Sequence, residues 1–180
     1  MKRKFSEIDE TKSSLVSMYN NNIYFYGDVS KKNVLQMNEF IDELNESLYD
    51  KINIFIHSPG GDVYAGLSAM DKIAANKKKI ETIADGFTAS AATFILIGGH
   101  SRKMYKNCDL LIHQISTGTG GKYTELVDDM ENNTRLMGKI KNIYETKTNI
   151  PEKKLKKLFE KEIVLDSELC NNWGIINEII

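Results

Sequence analysis

A strand, a turn and a helix follow one another three times in the first hundred residues, and this rhythm limits the chain to few folds. Ile23-Tyr24-Phe25-Tyr26 is β-branched and aromatic and is stopped by Gly27-Asp28. Ser30 then reads as an N-cap, and Val34, Met37, Phe40, Ile41, Leu44 and Leu48 recur at helical spacing. Lys51–His57 alternates Ile52, Ile54 and Ile56 on one face, ends at Ser58-Pro59-Gly60-Gly61, and leads into a helix carrying Val63, Leu67, Met70 and Ile73. Ile80–Ala84 is a third strand, broken at Gly86, and Ala89–Gly98 is a short apolar helix. Lys103–Tyr105 and Leu110–His113 are two further strands. Helices alternating with strands predict an α/β fold with parallel strands and crossover connections.

The 180 residues suit one domain, with no linker to divide them. Residues 1–20 are polar and read as an N-terminal arm, which leaves 21–180 as the domain. A net charge of −1 gives no general pull toward nucleic acid or a membrane surface, and no apolar run is long enough to span a bilayer. Acidic residues near the start (Glu7, Asp9, Glu10) argue against a mitochondrial leader, so the sequence reads as cytoplasmic or otherwise intracellular. Cys108 and Cys170 stand far apart, in no metal-binding spacing, and read as reduced buried thiols. No metal or bound cofactor is expected.

Chemistry concentrates at the ends of the predicted strands. Asp85-Gly86-Phe87-Thr88-Ala89-Ser90-Ala91-Ala92 places Ser90 among small residues where a strand turns into a helix. A serine becomes a nucleophile only when a base removes its proton and donors stabilise the oxyanion. The Ala91 N–H, in the first turn of the helix, is one such donor, and Gly61, at a turn that tolerates close approach of a ligand, offers a second. The pattern is not the G-x-S-x-G elbow, and no phosphate-binding glycine loop is present. A serine here would equally serve to cap a buried helix.

Three histidines compete as the base. His113 follows Leu110-Leu111-Ile112 at a strand end, the edge where α/β sites gather. His57 also ends a strand, and His100 lies in a polar turn. The carboxylate that would orient the base is open between Glu162, Asp166 and Asp109, although Asp166 already reads as the N-cap of a last short helix stopped by Gly174. Pro151 fits the first turn of the helix before it, and Ile175–Ile180 reads as a terminal strand.

Residues 122–148 form one long predicted helix, with Tyr123, Met130, Met137 and Tyr144 seven apart. At 1.5 Å per residue it is roughly 40 Å long. That exceeds what the core of one such domain covers, so the helix projects and meets another subunit.

Taken together, Ser58-Pro59-Gly60-Gly61, Ala65-Gly66, the Gly86–Ser90 turn, Ile112-His113-Gln114 and Trp173-Gly174-Ile175-Ile176 resemble the proteolytic subunit of the Clp protease, a serine peptidase. The resemblance covers Ile23 to Ile180 and implies a Clp/crotonase-like spiral of strand-turn-helix units with a projecting handle helix. It makes Ser90 the nucleophile, His113 the general base, and the Gly61 and Ala91 amides the oxyanion hole. It puts Glu162 where the family has an aspartate, with Asp166 as the alternative. It also departs from the family at His57, where asparagine is usual, and at Ile115, where proline usually follows His-Gln. It further implies unfolded polypeptide substrates paired along Ser116–Gly121 as along an open strand. The assembly implied is stacked rings, heptameric and so a tetradecamer, served by an ATP-driven unfoldase. Two other readings are a crotonase-like enzyme of coenzyme A thioesters, which also uses two backbone amides, and an inactive structural subunit of a Clp-type ring.

Overall fold

The computed structural model describes residues 15–180; the first fourteen residues of the expected arm lie outside them. Strands β1 (Val16–Tyr19) and β2 (Asn22–Tyr26) form an antiparallel hairpin, so the last part of the stretch read as an arm is an edge strand instead. Val16 alternates into the core there, a signal too short to read beside its polar neighbours. From β2 onward the expected rhythm holds: α1 (Lys31–Asn45), β3 (Lys51–Ser58), α2 (Val63–Ala74), β4 (Lys79–Ala89), α3 (Ala92–Gly98) and β5 (Ser101–Met104). β2, β3, β4 and β5 are mutually parallel neighbours in one mixed sheet.

Local chemistry explains these elements. Ser30 accepts a hydrogen bond from the Asn33 amide and starts α1, whose Val34, Met37, Ile41 and Leu44 are buried. Asp62 caps α2 by accepting from the Tyr64 and Ala65 amides. Ile52, Ile54 and Ile56 of β3 are fully buried, while the residues between them are half-buried on the other face. Every residue of α3 is buried, so this short helix is the centre of the core rather than its cover.

β4 differs from the expected strand. It does not stop at Gly86 but runs on to Ala89. Gly86 takes φ +70, and a Cβ there would fall 2.6 Å from His57 Nδ1. Glycine therefore lets the strand bend around the His57 ring and continue. The bend changes partners: residues 81–84 pair with β5, and Phe87–Ala89 pair with β6 (Asp109–Leu111). Helix α3 correspondingly begins at Ala92, not Ala89, leaving Ser90 and Ala91 as the corner.

Beyond β6 the chain has no regular structure over 116–121, where the strand expected from the resemblance is absent. The long helix α4 follows at Tyr123–Lys147, and its first half stands out from the domain. Only Ile140, Ile143 and Tyr144, in its last turns, are buried. α5 (Glu152–Glu160) starts one residue after Pro151, which is its N-cap. β7 (Val164–Leu165) pairs antiparallel with β6. Asp166 caps α6 (Ser167–Asn172), and Gly174, at φ +62, ends it. The terminal strand is confined to β8 (Glu178–Ile179) beside β5. Among the described residues no helix is long and apolar enough to cross a membrane.

Candidate active site

Ser90 occupies the corner between β4 and α3 with φ +54, a left-handed conformation that costs a non-glycine residue about 1–2 kcal/mol. The fold holds it there from both sides. Its amide donates to the Leu111 carbonyl of β6 at 2.8 Å, and its carbonyl accepts from the Thr93 amide at 3.0 Å and the Thr93 hydroxyl at 2.6 Å. A strained residue whose backbone is held by hydrogen bonds on both sides of a strand-to-helix corner is a recurrent mark of a functional position.

The Ser58–Asp62 loop packs directly under this corner. The buried Ser58 hydroxyl accepts from the Gly60 amide, and the loop is tied to Val29 through Val29 N–H to the Gly60 carbonyl and Asp62 N–H to the Val29 carbonyl. Gly60 has φ +97, and a Cβ on it would sit 2.6 Å from the Ser90 Cβ and 2.7 Å from the Ala89 carbonyl oxygen. Only glycine permits that approach. It brings Gly61, Ser90 and Ala91 to the wall of one cleft. The amides of Gly61 and Ala91 have no hydrogen-bond partner among the described residues, as two donors awaiting a developing oxyanion would.

His113 lines the same cleft and is half-buried. The β4–β6 ladder explains why: Ala89 is level with Leu111, so Ser90 and His113, one and two residues beyond that pair, leave at the same end of neighbouring strands. The cleft holds about 200 Å³, and Val63, Phe94, Ile115, Ile140 and Tyr144 give it an apolar lining. The Ile115 amide, which a proline would lack, donates to Met137 Sδ of α4 at 3.4 Å.

The rival bases go elsewhere. His57 is exposed on the opposite face of β3 from the buried isoleucines, its Nδ1 bonded to the Asp85 carbonyl at 2.9 Å and its ring beside Tyr26. His100 accepts the Ile80 amide at 3.1 Å and so joins the ends of β4 and β5. Neither is among the residues lining the Ser90 cleft.

The carboxylates separate by register. Leu110 faces Leu165 and Leu111 faces Val164 across β6 and β7. The same pairing continued outward sets Glu162 against His113 and Asp166 against Asp109, at opposite ends of β6. Asp166 is already engaged, accepting from the Leu169 amide at 2.8 Å. Glu162 is exposed. Among the described residues no hydrogen bond or ion pair joins Ser90, His113 and Glu162 to one another. Ser90 and His113 therefore share a cleft, and Glu162 is not among the residues that line it.

The two thiols are not competing nucleophiles. Both cysteines are buried and free, and burial pushes the Cys108 thiol up to about 12 and Cys170 in the same direction. Two participants escaped the sequence reading. Thr93 looked like one more small residue of a buried helix, and Tyr144 like one position of an apolar series in α4. Their polar ends give no periodic signal.

The chain has clear relatives among known proteins. The model of the Clp protease family matches residues 6–180. The chain is 30% identical over 158 residues to the ATP-dependent Clp protease proteolytic subunit 2 of Bacillus licheniformis, covering 87% of this chain and 82% of that protein. It is 29% identical over 126 residues to the ATP-dependent Clp protease proteolytic subunit of Pleurastrum terricola, covering 69% of this chain and 64% of that one. Among solved structures, a ClpP1 mutant from Listeria monocytogenes has the same fold, with a TM-score of 0.80 at 24% identity over 89% of this chain and 91% of that chain.

Proposed function

The chain belongs to the Clp protease family, and on that premise we propose that Ser90, His113 and Glu162 carry out its chemistry. It is a serine endopeptidase, the proteolytic component of an ATP-dependent protease. In the proposed mechanism the His113 imidazole takes the Ser90 hydroxyl proton as the oxygen attacks a peptide carbonyl. The oxyanion of the tetrahedral intermediate accepts from the Gly61 and Ala91 amides. The amine leaves with the proton from His113, and water then cleaves the acyl-serine ester by the same relay. Glu162 accepts from the other ring N–H and holds the imidazole in the working tautomer.

The observation that carries this reading is Ser90 itself. It is held left-handed at the cleft wall, between two amides with no other partner among the described residues, beside the one histidine lining that cleft. Glutamate has one methylene more than the family's aspartate, so closing its hydrogen bond requires a small shift of His113 or of the β6–β7 edge. Catalytic hydrogen bonds commonly tighten only in the complex.

Ring self-association follows from family membership and is supported by α4, whose first half leaves Tyr123, Leu126, Val127 and Met130 exposed. Two stacked heptamers, with 116–121 ordered as a substrate-pairing strand in the assembly, are the finer form of this proposal. ATP is consumed by a Clp-type unfoldase partner that delivers unfolded polypeptide to a peptidase domain that includes β1, from Val16 onward. A fluorophosphonate probe tests the chemistry. Labelling of the wild type that disappears in Ser90→Ala is the expected result, and labelling or proteolysis surviving in Ser90→Ala would overturn it.

A further inference from the structure

Tyr144 is fully buried at the base of α4, between Phe94 of α3 and Phe159 of α5. A phenol in such a place needs a partner for its hydroxyl. Its partner is the Thr93 hydroxyl, at 2.6 Å, which is itself 2.6 Å from the Ser90 carbonyl. A carbonyl can only accept, so the single Thr93 hydroxyl proton goes to Ser90 and the Tyr144 hydroxyl donates to Thr93 Oγ1. The result is a directed chain, Tyr144 O–H to Thr93 O–H to Ser90 C=O. It ends on the backbone of Ser90, which the fold holds left-handed; among the described residues Asn20, in the β1–β2 turn, is the other non-glycine residue at positive φ.

We propose that Tyr144 is a positioning residue for the peptidase reaction, acting through Thr93 to hold Ser90 in its left-handed conformation with the Ala91 amide facing the cleft. The inference rests on Ser90 being the nucleophile. Burial raises the Tyr144 phenol well above its ordinary value, so it remains a protonated donor throughout the working range of a serine peptidase. The relay also runs from the handle helix to the nucleophile without crossing solvent. Tyr144 lies on the same helix as the exposed Tyr123–Met130 half, with its own carbonyl held by the Thr148 amide and hydroxyl. The backbone bond from the Thr93 amide to Ser90 is independent of either hydroxyl and remains when they are removed.

Steady-state hydrolysis of a short fluorogenic peptide, together with the rate of fluorophosphonate acylation, tests this in the assembled full-length protein. Tyr144→Phe removes one buried oxygen, and Thr93→Val removes the hydroxyl it serves. Each is expected to lower kcat and the acylation rate about five- to tenfold, the worth of one buried hydrogen bond, with KM little changed. Thr93→Ser, which keeps the hydroxyl, recovers most of the loss. The double variant is no slower than Thr93→Val, because both substitutions cut one chain. Unchanged kcat in Tyr144→Phe, losses that multiply in the double variant, or a loss confined to KM or to thermal stability overturns the proposal. Should Thr93→Val not fold, Tyr144→Phe with Thr93→Ser still decides it. Ser90→Ala run in parallel keeps the two questions apart, since activity surviving there removes the nucleophile assignment itself.

Discussion

At the β4–α3 corner, Ser90 is gripped through its amide by β6 and through its carbonyl by Thr93, with Gly60 pressed beneath its Cβ. At the β6–β7 edge, Glu162 sits just before a two-residue strand, exposed, its carboxylate bonded to nothing among the described residues. Both ends belong to one proposed relay through His113, yet one is settled by the single chain and the other is not. The first lies where three buried elements meet, so its geometry follows from folding. The second lies on a sheet margin, where neighbours or substrate have the last word. On the proposed assignments, the fold itself fixes Ser90 and its two neighbouring amides, and the carboxylate is the adjustable part.

Substitutions at the corner should therefore cost far more than those at the margin. Ser90→Ala is expected to reduce peptide hydrolysis at least about 10³-fold, leaving only what binding and the two amides supply; a smaller loss in a purified assembly would break the contrast at its strong end. Gly60→Ala comes next. Its methyl would meet the Ser90 Cβ at 2.6 Å and the Ala91 amide nitrogen at 3.1 Å, at a φ that disfavours any side chain. Displacing a reacting atom by an ångström costs about 100-fold, so kcat should fall by that order, with a melting temperature lowered as well. A Gly60→Ala enzyme of normal kcat would mean that the corner tolerates slack.

Glu162→Ala tests the margin. A charged hydrogen bond to an imidazole accounts for about tenfold or somewhat more. We expect a loss of that order, with little change in thermal stability because Glu162 makes no other bond among the described residues. Glu162→Asp, the residue type usual in the family, should retain more activity than Glu162→Ala. Equal rates for the two would sink the carboxylate role and leave His113 oriented by something else.

Much of this was legible in the sequence. The alternation in Lys51–His57 and the helical spacing from Val34 to Leu44 correspond to β3 and α1 because each element buries one face, and burial of a face writes a period into the chain; Leu48, read as the last member of that series, lies beyond the end of α1 and is exposed. That Ser90, Gly61 and Ala91 would lie together was legible because small residues and glycines cluster where backbone must approach backbone, and His113 because it follows an apolar strand; the four line one cleft. The failures have a common cause in geometry without period. Gly86 read as a stop, and only the His57 ring beside it shows that it is a bend within β4. β1 is too short to display its alternation. Thr93 and Tyr144 lie 51 residues apart and meet only because α3 and α4 pack together. The 116–121 segment took its expected strand from a likeness to assembled proteins, and a strand without a partner to pair with has no ladder to form.

The choice between the two carboxylates gives the smallest expected effect and the sharpest discrimination. Asp166 and Glu162 are four residues apart, both exposed, both acidic, and side-chain chemistry alone treats them alike. The β6–β7 register and the N-cap distinguish them. Asp166 accepts from the Leu169 amide at 2.8 Å and faces the Asp109 end of β6, away from His113. Asp166→Ala should thus cost about 1 kcal/mol of stability, the usual worth of an N-cap, read as a lower denaturant midpoint with unchanged slope. Its kcat should match the wild type when measured on intact assemblies at a temperature where both are folded. If Asp166→Ala instead lowers kcat tenfold while Glu162→Ala does not, the β7 register is different in the working enzyme. The margin would then have slid by four residues, two periods of strand alternation, to bring Asp166 to His113.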